Sequence, residues 1–502
     1  MITDRPGSPP AVGIRSLTRD TVIYGIGGSA SRLASVLFVP IFTRIFTPAD
    51  YGALELLTTQ ITILTLFAMA GLNAAVFYHY RRVDDRNQRA RLVGTALVVA
   101  TSAGVLIGGI GLAAAPWVAE IVLHDRRYAL AVALSFVWLP VNICAILALD
   151  LLRLAFRPIA YTVIGVGRNF FAAIIGVALV VGAGMGIAAV LVSQIVLGIA
   201  GLAIALWLTR GGWRPALDTL AARRLLAFGL PLIPAGLAYW VINYSDRFFL
   251  IQFRGLDDVG LYAIANKLAS LVQLALMAFQ SAWYPFAYAR AQGPGHQDVF
   301  ARVFAGFTVI IIPTAVGLGL FAREALVVVT TPVYQPAYPY VGMLALALAA
   351  NGAYQIVTVG VALARRTWQM AATAGTAAVV NLVLNLVLIP PFGLLGASIS
   401  TLTAYATSAA LLYLLAQRVY PVPYDLRPAA ALVVAGGAVL AFGLAADGYT
   451  SATPWSPAST GVKAVAFLAL AALAFRLLEP GPRHAIVESL AAHTFRRGRS
   501  PA

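Results

Sequence analysis

Residues 43–57 read TRIFTPADYGALELL, and residues 251–265 read IQFRGLDDVGLYAIA. At an offset of 208 residues, Asp50 falls on Asp258 and Gly52 on Gly260. A second pair of segments, GMGIAA at 184–189 and GLLGAS at 393–398, places Gly186 on Gly396 at an offset of 210. Two matches at nearly one spacing predict a chain made of two similar halves. Around these segments, long apolar runs recur near 19–43, 51–78, 92–118, 129–152, 158–182, 185–209, 227–251, 260–285, 301–321, 339–363, 370–390, 394–416, 429–446 and 461–478. A helix needs about 20 mostly apolar residues to cross the hydrocarbon core of a bilayer. The expected fold is therefore an all-α integral membrane protein with about fourteen transmembrane helices. Two six-helix lobes in parallel repeat, 19–209 and 227–417, are joined by a cytoplasmic linker at 210–226. Two extra helices follow in 418–478, between a cytoplasmic N-terminal tail (1–18) and a basic cytoplasmic tail (479–502). Six is even, so both lobes enter the membrane in the same sense, and parallel repeats of this sort frame a central pathway.

Composition agrees with this reading. Of the 502 residues, 60% are apolar and only 11% are charged, with a mean hydropathy of +0.85; a soluble domain carries about 25% charged residues. Yet the net charge is +16, from 35 basic residues against 19 acidic ones. High hydropathy with so few charges excludes disorder and a soluble nucleic-acid-binding domain. A single cysteine, Cys144, excludes a disulfide framework, and no Cys/His spacing suggests a metal. If the N-terminus is cytoplasmic and the helices alternate, inside segments hold 25 of the 35 basic residues and outside segments six. That asymmetry predicts that both termini are cytoplasmic. No connection between spans is long enough for a soluble domain, so any activity is expected within the bundle itself.

Four basic residues remain inside spans: Arg32, Arg168, Arg247 and Lys267. A charged side chain near the bilayer centre is costly unless it faces the protein interior, so each is a candidate for a ligand or for an ion pair. Arg32 sits mid-span among Gly25, Gly28, Ser29 and Ser35; Asp150 or Glu55 could serve it as a partner. Asp246 and Asn243 accompany Arg247 on the seventh span. On the eighth, Asn266, Ser270, Gln273, Met277, Gln280 and Tyr284 follow a 4-3-4-3-4 spacing, the signature of one helical face. At the 208 offset, Thr58, Thr62, Thr65 and Met69 hold the same phase on the second span. Such stripes either glue helices together or line a shared lumen. An excess of buried basics would make that lumen cationic and suited to phosphate or pyrophosphate, whose geometry guanidinium matches.

The stretches SRLASVLFVPIFTRIFTPADYGALELLTTQITILTLFAMAGLNAAVF (31–77), SDRFFLIQFRGLDDVGLYAIANKLASLVQLALMAFQSAWYPF (245–286) and NLVLNLVLIPPFGLLGASIS (381–400) resemble bacterial polysaccharide exporters. These are the O-antigen and lipid-linked-oligosaccharide flippases of the multidrug/oligosaccharidyl-lipid/polysaccharide exporter superfamily. The resemblance implies a two-lobed bundle working by alternating access in the bacterial inner membrane. Its implied cargo is an oligosaccharide on undecaprenyl pyrophosphate, for O-antigen, capsule or exopolysaccharide synthesis. It also implies that Arg32, in the Ser-Arg pair, Arg247, in Ser-Asp-Arg, and Lys267, in Asn-Lys, engage the pyrophosphate. Arg168 has burial alone behind it. Polar residues Asn243, Asp246, Asn266, Ser270, Gln273, Gln280, Thr58 and Thr62 are expected to line the cavity, with Tyr239, Trp240, Tyr244 and Trp283 receiving sugars. Expected partners are the lipid-linked oligosaccharide, the bilayer, and the polymerase and glycosyltransferases of the same pathway, with a coupling cation (H+ or Na+) left open. Nucleic acid, cofactor and metal are not expected. A drug/cation antiporter would need lumenal carboxylates, for which only Asp246 and Glu55 are placed. A membrane-embedded polysaccharide polymerase or ligase would need clustered catalytic residues, which this chain lacks, so it is not expected to be an enzyme.

Overall fold

The hydrocarbon core holds no water, so a lipid-exposed backbone can satisfy its N–H and C=O groups only within helices or closed barrels. The apolar runs fold as helices, and no strand occurs among the described residues. The structure is a computed structural model that describes residues 36–291, 293, 295–449 and 456–478. Both expected tails, 1–18 and 479–502, and most of the first span, Arg32 included, lie outside the described residues. Among the described residues twelve helical stretches are long and apolar enough to cross a membrane, and a bent pair supplies a thirteenth. Every expected span from the second to the fourteenth thus has its helix. Large apolar side chains stand exposed along these helices, among them Leu106, Ile121, Val181 and Val434. On a protein in water such a surface would drive aggregation; here it faces lipid.

The described residues fall into two compact units, the first drawn from Met1–Ala263 and Met277–Ser281, the second from Ile264–Leu276 and Ala282–Ala502. In the first unit the helices are α1 (Val39–Ile45), α2 (Pro48–Met69), α3 (Leu72–Tyr80), α4 (Arg86–Val122), α5 (Ala129–Leu154), α6 (Pro158–Ala183), α7 (Ile187–Leu208), α8 (Thr219–Gly229), α9 (Ile233–Tyr244) and α10 (Asp246–Phe253). α5 packs between α4 and α7, while α2 lies against α4, α5 and α9. Ile61, Leu72, Leu92, Leu139, Ile143 and Leu225 belong to the core that joins α2–α5 with α8.

The repeated motif explains itself at the start of α2. Thr47 and Asp50 form a capping box: the Asp50 N–H donates to Thr47 Oγ1 at 3.2 Å, and the Thr47 N–H donates back to Asp50 at 3.4 Å. α11 (Leu256–Ala269) begins 208 residues after α2, so Asp258 takes the same third position and meets the same positive helix end. The two glycines of the motif touch. A Cβ on Gly52 would overlap the Leu256 carbonyl oxygen and come within 2.9 Å of the Gly260 nitrogen, and one on Gly260 would overlap the Pro48 carbonyl oxygen. Since 256 and 260 are the counterparts of 48 and 52, this contact, made within the first unit, is reciprocal.

The other match needs a correction. Gly186 precedes α7 with φ 56° and ψ −144°, and Gly393 precedes α17 (Leu394–Val419) with φ 55° and ψ −126°. That is backbone that a side chain on Cβ disfavours strongly. The equivalent of Gly186 is therefore Gly393, at an offset of 207, and not Gly396; the helix cap, rather than the letter match, sets the register.

Two expected spans are broken. α2 and α3 divide the run 51–78 at Ala70 and Gly71, both left-handed (φ 44° and 71°). α11 and α12 (Val272–Arg290) divide the run 260–285 with a bend of 42°. The backbone there tightens into turns, with the Gln273 N–H donating to Ser270 O and the Leu274 N–H to Leu271 O. The polar stripe Asn266–Tyr284 therefore does not lie on one continuous helix.

The second unit also holds α13 (His296–Leu320), α14 (Ala322–Val329), α15 (Tyr338–Leu363), α16 (Trp368–Phe392), α18 (Arg427–Tyr449) and α19 (Pro457–Leu477). α17 packs on α15 and α16, while α18 and α19 pack on α13. The final pair of helices is fastened by charge. Lys463 on α19 is 0% exposed and bonds Asp447 of α18 at 2.7 Å and Glu324 of α14 at 2.9 Å. Arg323 reaches Asp447 at 3.2 Å. Replacing Lys463 with methionine is expected to cost about 3 kcal/mol, because buried Asp447 and half-buried Glu324 lose a shared cation and only Asp447 keeps another, Arg323. A lower thermal midpoint of the purified protein would register it.

Candidate functional site

The first unit contains a pocket of about 370 Å³ between α2–α3 and α9. Thr62, Thr65, Met69 and Asn73 line one side, and Tyr239, Trp240 and Tyr244 line the other. α9 can present these rings because Pro231 and Pro234 open its first turns, where the missing N–H would find no helical partner. Tyr239 is 60% exposed, whereas Trp240 is buried and anchored by its indole N–H, which donates to Thr59 O at 3.4 Å. Thr62 donates to Thr58 O at 2.9 Å, and Thr58 to Leu54 O at 2.8 Å, so both hydroxyls back-bond to their own helix and keep lone pairs for another donor. Of the expected cavity residues Thr62 lines this pocket, as do Tyr239, Trp240 and Tyr244 among the aromatics expected to receive sugars. Trp283 is 3% exposed in the second unit, packed on Phe300, and is closed to a sugar.

Next to the pocket lies a buried ion cluster. Arg247 stands at the start of α10, 3% exposed, with its Nη1 donating to Asp246 at 2.7 Å and to Asn243 O at 2.6 Å. Its Nε and Nη2 reach Glu55 of α2 at 3.2 and 3.1 Å. The guanidinium lies over the rings of Tyr244 and Tyr262, at 5.3 and 5.6 Å. Tyr244 is also a wall of the pocket, so one ring separates the cation from the cavity. Asn243 donates to Tyr239 O at 2.8 Å. Arg247, Asp246, Asn243 and Glu55 are thus brought together by the structure, with the carboxylates already engaging the arginine.

The remaining candidates are placed elsewhere. Arg168, on α6, packs beside Gly201 of α7, and its Nε and Nη1 are buried with no hydrogen-bond partner among the described residues. Asn266, Lys267, Ser270, Gln273 and Gln280 are half-buried on α11 and α12, on both sides of the bend. Ser270 donates to Lys267 O at 2.6 Å, Gln273 Oε1 is buried without a donor, and Tyr284 donates to Gln355 at 2.8 Å. Among the described residues no three His, Cys, Asp or Glu side chains gather as metal ligands. The cluster of Arg323, Glu324, Asp447 and Lys463 is not among the residues expected from the sequence, because only the folded chain brings α14, α18 and α19 together.

Residues 17–288, more than half of the chain, match the family described as polysaccharide biosynthesis protein. The chain belongs to the polysaccharide biosynthesis protein family. A curated relative in Rhizobium meliloti (strain 1021), the succinoglycan biosynthesis transport protein ExoT, is 23% identical over 341 residues, covering 67% of each chain. Among solved structures, the lipid II flippase MurJ in an inward closed conformation superposes with a TM-score of 0.72 at 10% identity, over 91% of this chain and 99% of that one. An outward-facing multidrug resistance MATE transporter of the MOP superfamily gives 0.60 at 12% identity, over 80% and 95%. This member of the polysaccharide biosynthesis protein family is therefore a multi-pass membrane protein with the helical fold of MurJ and the MATE transporters.

Proposed function

We propose that the chain is a flippase that moves an oligosaccharide linked to undecaprenyl pyrophosphate across the bacterial inner membrane by alternating access, and that it is not an enzyme. The observation behind this reading is the pocket of the first unit, where an exposed tyrosine and two further rings face threonine and asparagine side chains. Aromatic faces with flanking polar groups suit the mixed apolar and hydroxylated faces of a sugar. Membership of a polysaccharide biosynthesis family and likeness to a lipid II flippase support a lipid-borne glycan. The pyrophosphate would meet the intramembrane basics Arg32, Arg168, Arg247 and Lys267, and both termini would face the cytoplasm. A coupling H+ or Na+, and polymerase and glycosyltransferase partners, complete the proposal.

Proteoliposomes loaded with a fluorescent undecaprenyl-pyrophosphate glycan would test it by quencher access to the opposite leaflet. Transfer is expected with the protein and not in empty vesicles. Tyr239→Ala is expected to slow transfer at least about tenfold, as loss of an aromatic anchor near 2 kcal/mol does, while Tyr239→Trp retains most of it. Efflux of a cationic dye with no glycan-lipid transfer would overturn the reading in favour of a drug/cation antiporter.

A further inference from the structure

We propose that the end of the first unit bearing Arg86, Arg89, Arg157 and Arg210 is a binding site for the phosphate of an anionic phospholipid. It goes beyond the transport reading, since it concerns a different pocket and a different ligand. This pocket, about 340 Å³, is walled by those four arginines together with Tyr80 and Thr209, and floored by Leu151, Leu154 and Leu208. The arginines come from three separated segments: the start of α4, the α6 entrance and the turn after α7.

The fold brings these segments together by backbone bonds. The Arg214 N–H donates to Ala90 O at 3.0 Å, and the Asp218 N–H to Thr95 Oγ1 at 3.1 Å, so the turn after α7 is laid along α4. Arg157 Nη1 donates to Leu208 O at 2.8 Å, which crosses from the α6 entrance to the α7 end, and Arg89 Nε bonds Val83 O. Arg86 Nη2 lies beside Gly211. Arg210 rests over the Trp207 ring at 5.3 Å.

Among the described residues no ion pair neutralises the charge of this cluster: none of the four arginines has a carboxylate within ion-pair distance. Two of the neighbouring acids have other engagements: Asp85 caps α4 by accepting from Gln88 N–H, and Asp218 caps α8 and pairs with Arg91 at 3.7 Å. The Ala221 N–H and then Arg91 hold the Asp218 carboxyl below its ordinary range, so it stays committed as an anion. Four converging guanidinium groups over a leucine floor fit a phosphate with an acyl glycerol beneath it. Trp207 (60% exposed) and Phe156 flank the site, where rings sit at the headgroup level of a bilayer. That flank favours a lipid over a free phosphate. The distribution of basic residues puts this end at the cytoplasmic leaflet, where anionic lipids attract basic groups.

The test uses the full chain in neutral detergent, titrated with phosphatidylglycerol, with phosphatidylcholine or with inorganic phosphate, and reads the thermal midpoint. Phosphatidylglycerol is expected to raise it, the other two not. In Arg86→Gln/Arg210→Gln the concentration needed is expected to rise at least about tenfold, while Arg86→Lys/Arg210→Lys recovers most of the response. Equal responses to both lipids, or an unchanged response in the glutamine variant, would overturn the proposal. An equal response to inorganic phosphate would overturn the choice of a lipid. Should the glutamine variant fail to fold, a photoactivatable phosphatidylglycerol on the unaltered protein decides. Crosslinks are expected in 151–157 and 207–212, and crosslinks spread over the exposed helices would refute the site.

Discussion

Gly260→Ala is expected to abolish transport and lower the thermal midpoint sharply, although it adds one methyl group to a helix that alanine ordinarily favours. The added Cβ would overlap the Pro48 carbonyl oxygen, a backbone atom in the first turn of α2 that cannot rotate away. Relief requires the starts of α2 and α11 to part, and overpacking of this kind costs about 1–3 kcal/mol even where side chains can adjust. Gly52→Ala is expected to act the same way through the Leu256 carbonyl, because the contact is reciprocal. Gly109→Ala is the control: nothing lies within 4 Å of its Cβ, so α4 should gain about 0.5–1 kcal/mol from the substitution and transport should persist. Thermal unfolding and a transfer assay on the three variants separate the effects. If Gly260→Ala behaves like Gly109→Ala, the crossing of α2 and α11 is not a fixed contact of the working protein.

The contrast between those glycines shows what sequence could and could not convey. Long apolar runs have one low-energy answer in lipid, so spans two to fourteen were legible as helices, although ends such as those of 227–251 differ by up to eight residues from the helical stretch Thr219–Tyr244. The motif with Asp50 and Gly52 was legible as a repeat, yet nothing in it said that its two copies touch; that needs backbone distances. Breaks were harder. The Ala70–Gly71 kink and the turn at Ser270 interrupt runs long enough to read as single spans, and helical periodicity cannot report a left-handed residue or a shifted phase. Gly393 was hidden by a better letter match three residues on. Among site residues, Arg247 could be read as buried with Asp246 beside it, but Glu55 was offered as a partner to Arg32, and its pairing with Arg247 depends on α2 and α10 meeting. The basic residues of the 81–91, 153–157 and 210–214 segments read as topology signals, and the pocket made by four of them is visible only where α4, α6 and α7 converge.

Arg247→Met has the second large effect. It deprives Glu55 and Asp246, on different helices, of the cation they share, and breaking a buried pair in this way costs about 3–5 kcal/mol. The expected outcome is a strongly reduced yield of folded protein and no detectable transfer. A second variant isolates the part of that loss due to stranded charge. In Arg247→Met with Glu55→Gln and Asp246→Asn, neutral side chains of similar shape occupy the cluster, and the thermal midpoint is expected to recover, since buried ion pairs replaced as a set are often neutral in stability. Transport then discriminates. If the cluster only joins α2 to α10, the triple variant should transfer the glycan lipid nearly as well as the unaltered protein. If the guanidinium behind Tyr244 helps hold a diphosphate in the adjacent pocket, folding should return while transfer remains at least about tenfold down, one lost charge-assisted contact being worth roughly 1.5–3 kcal/mol.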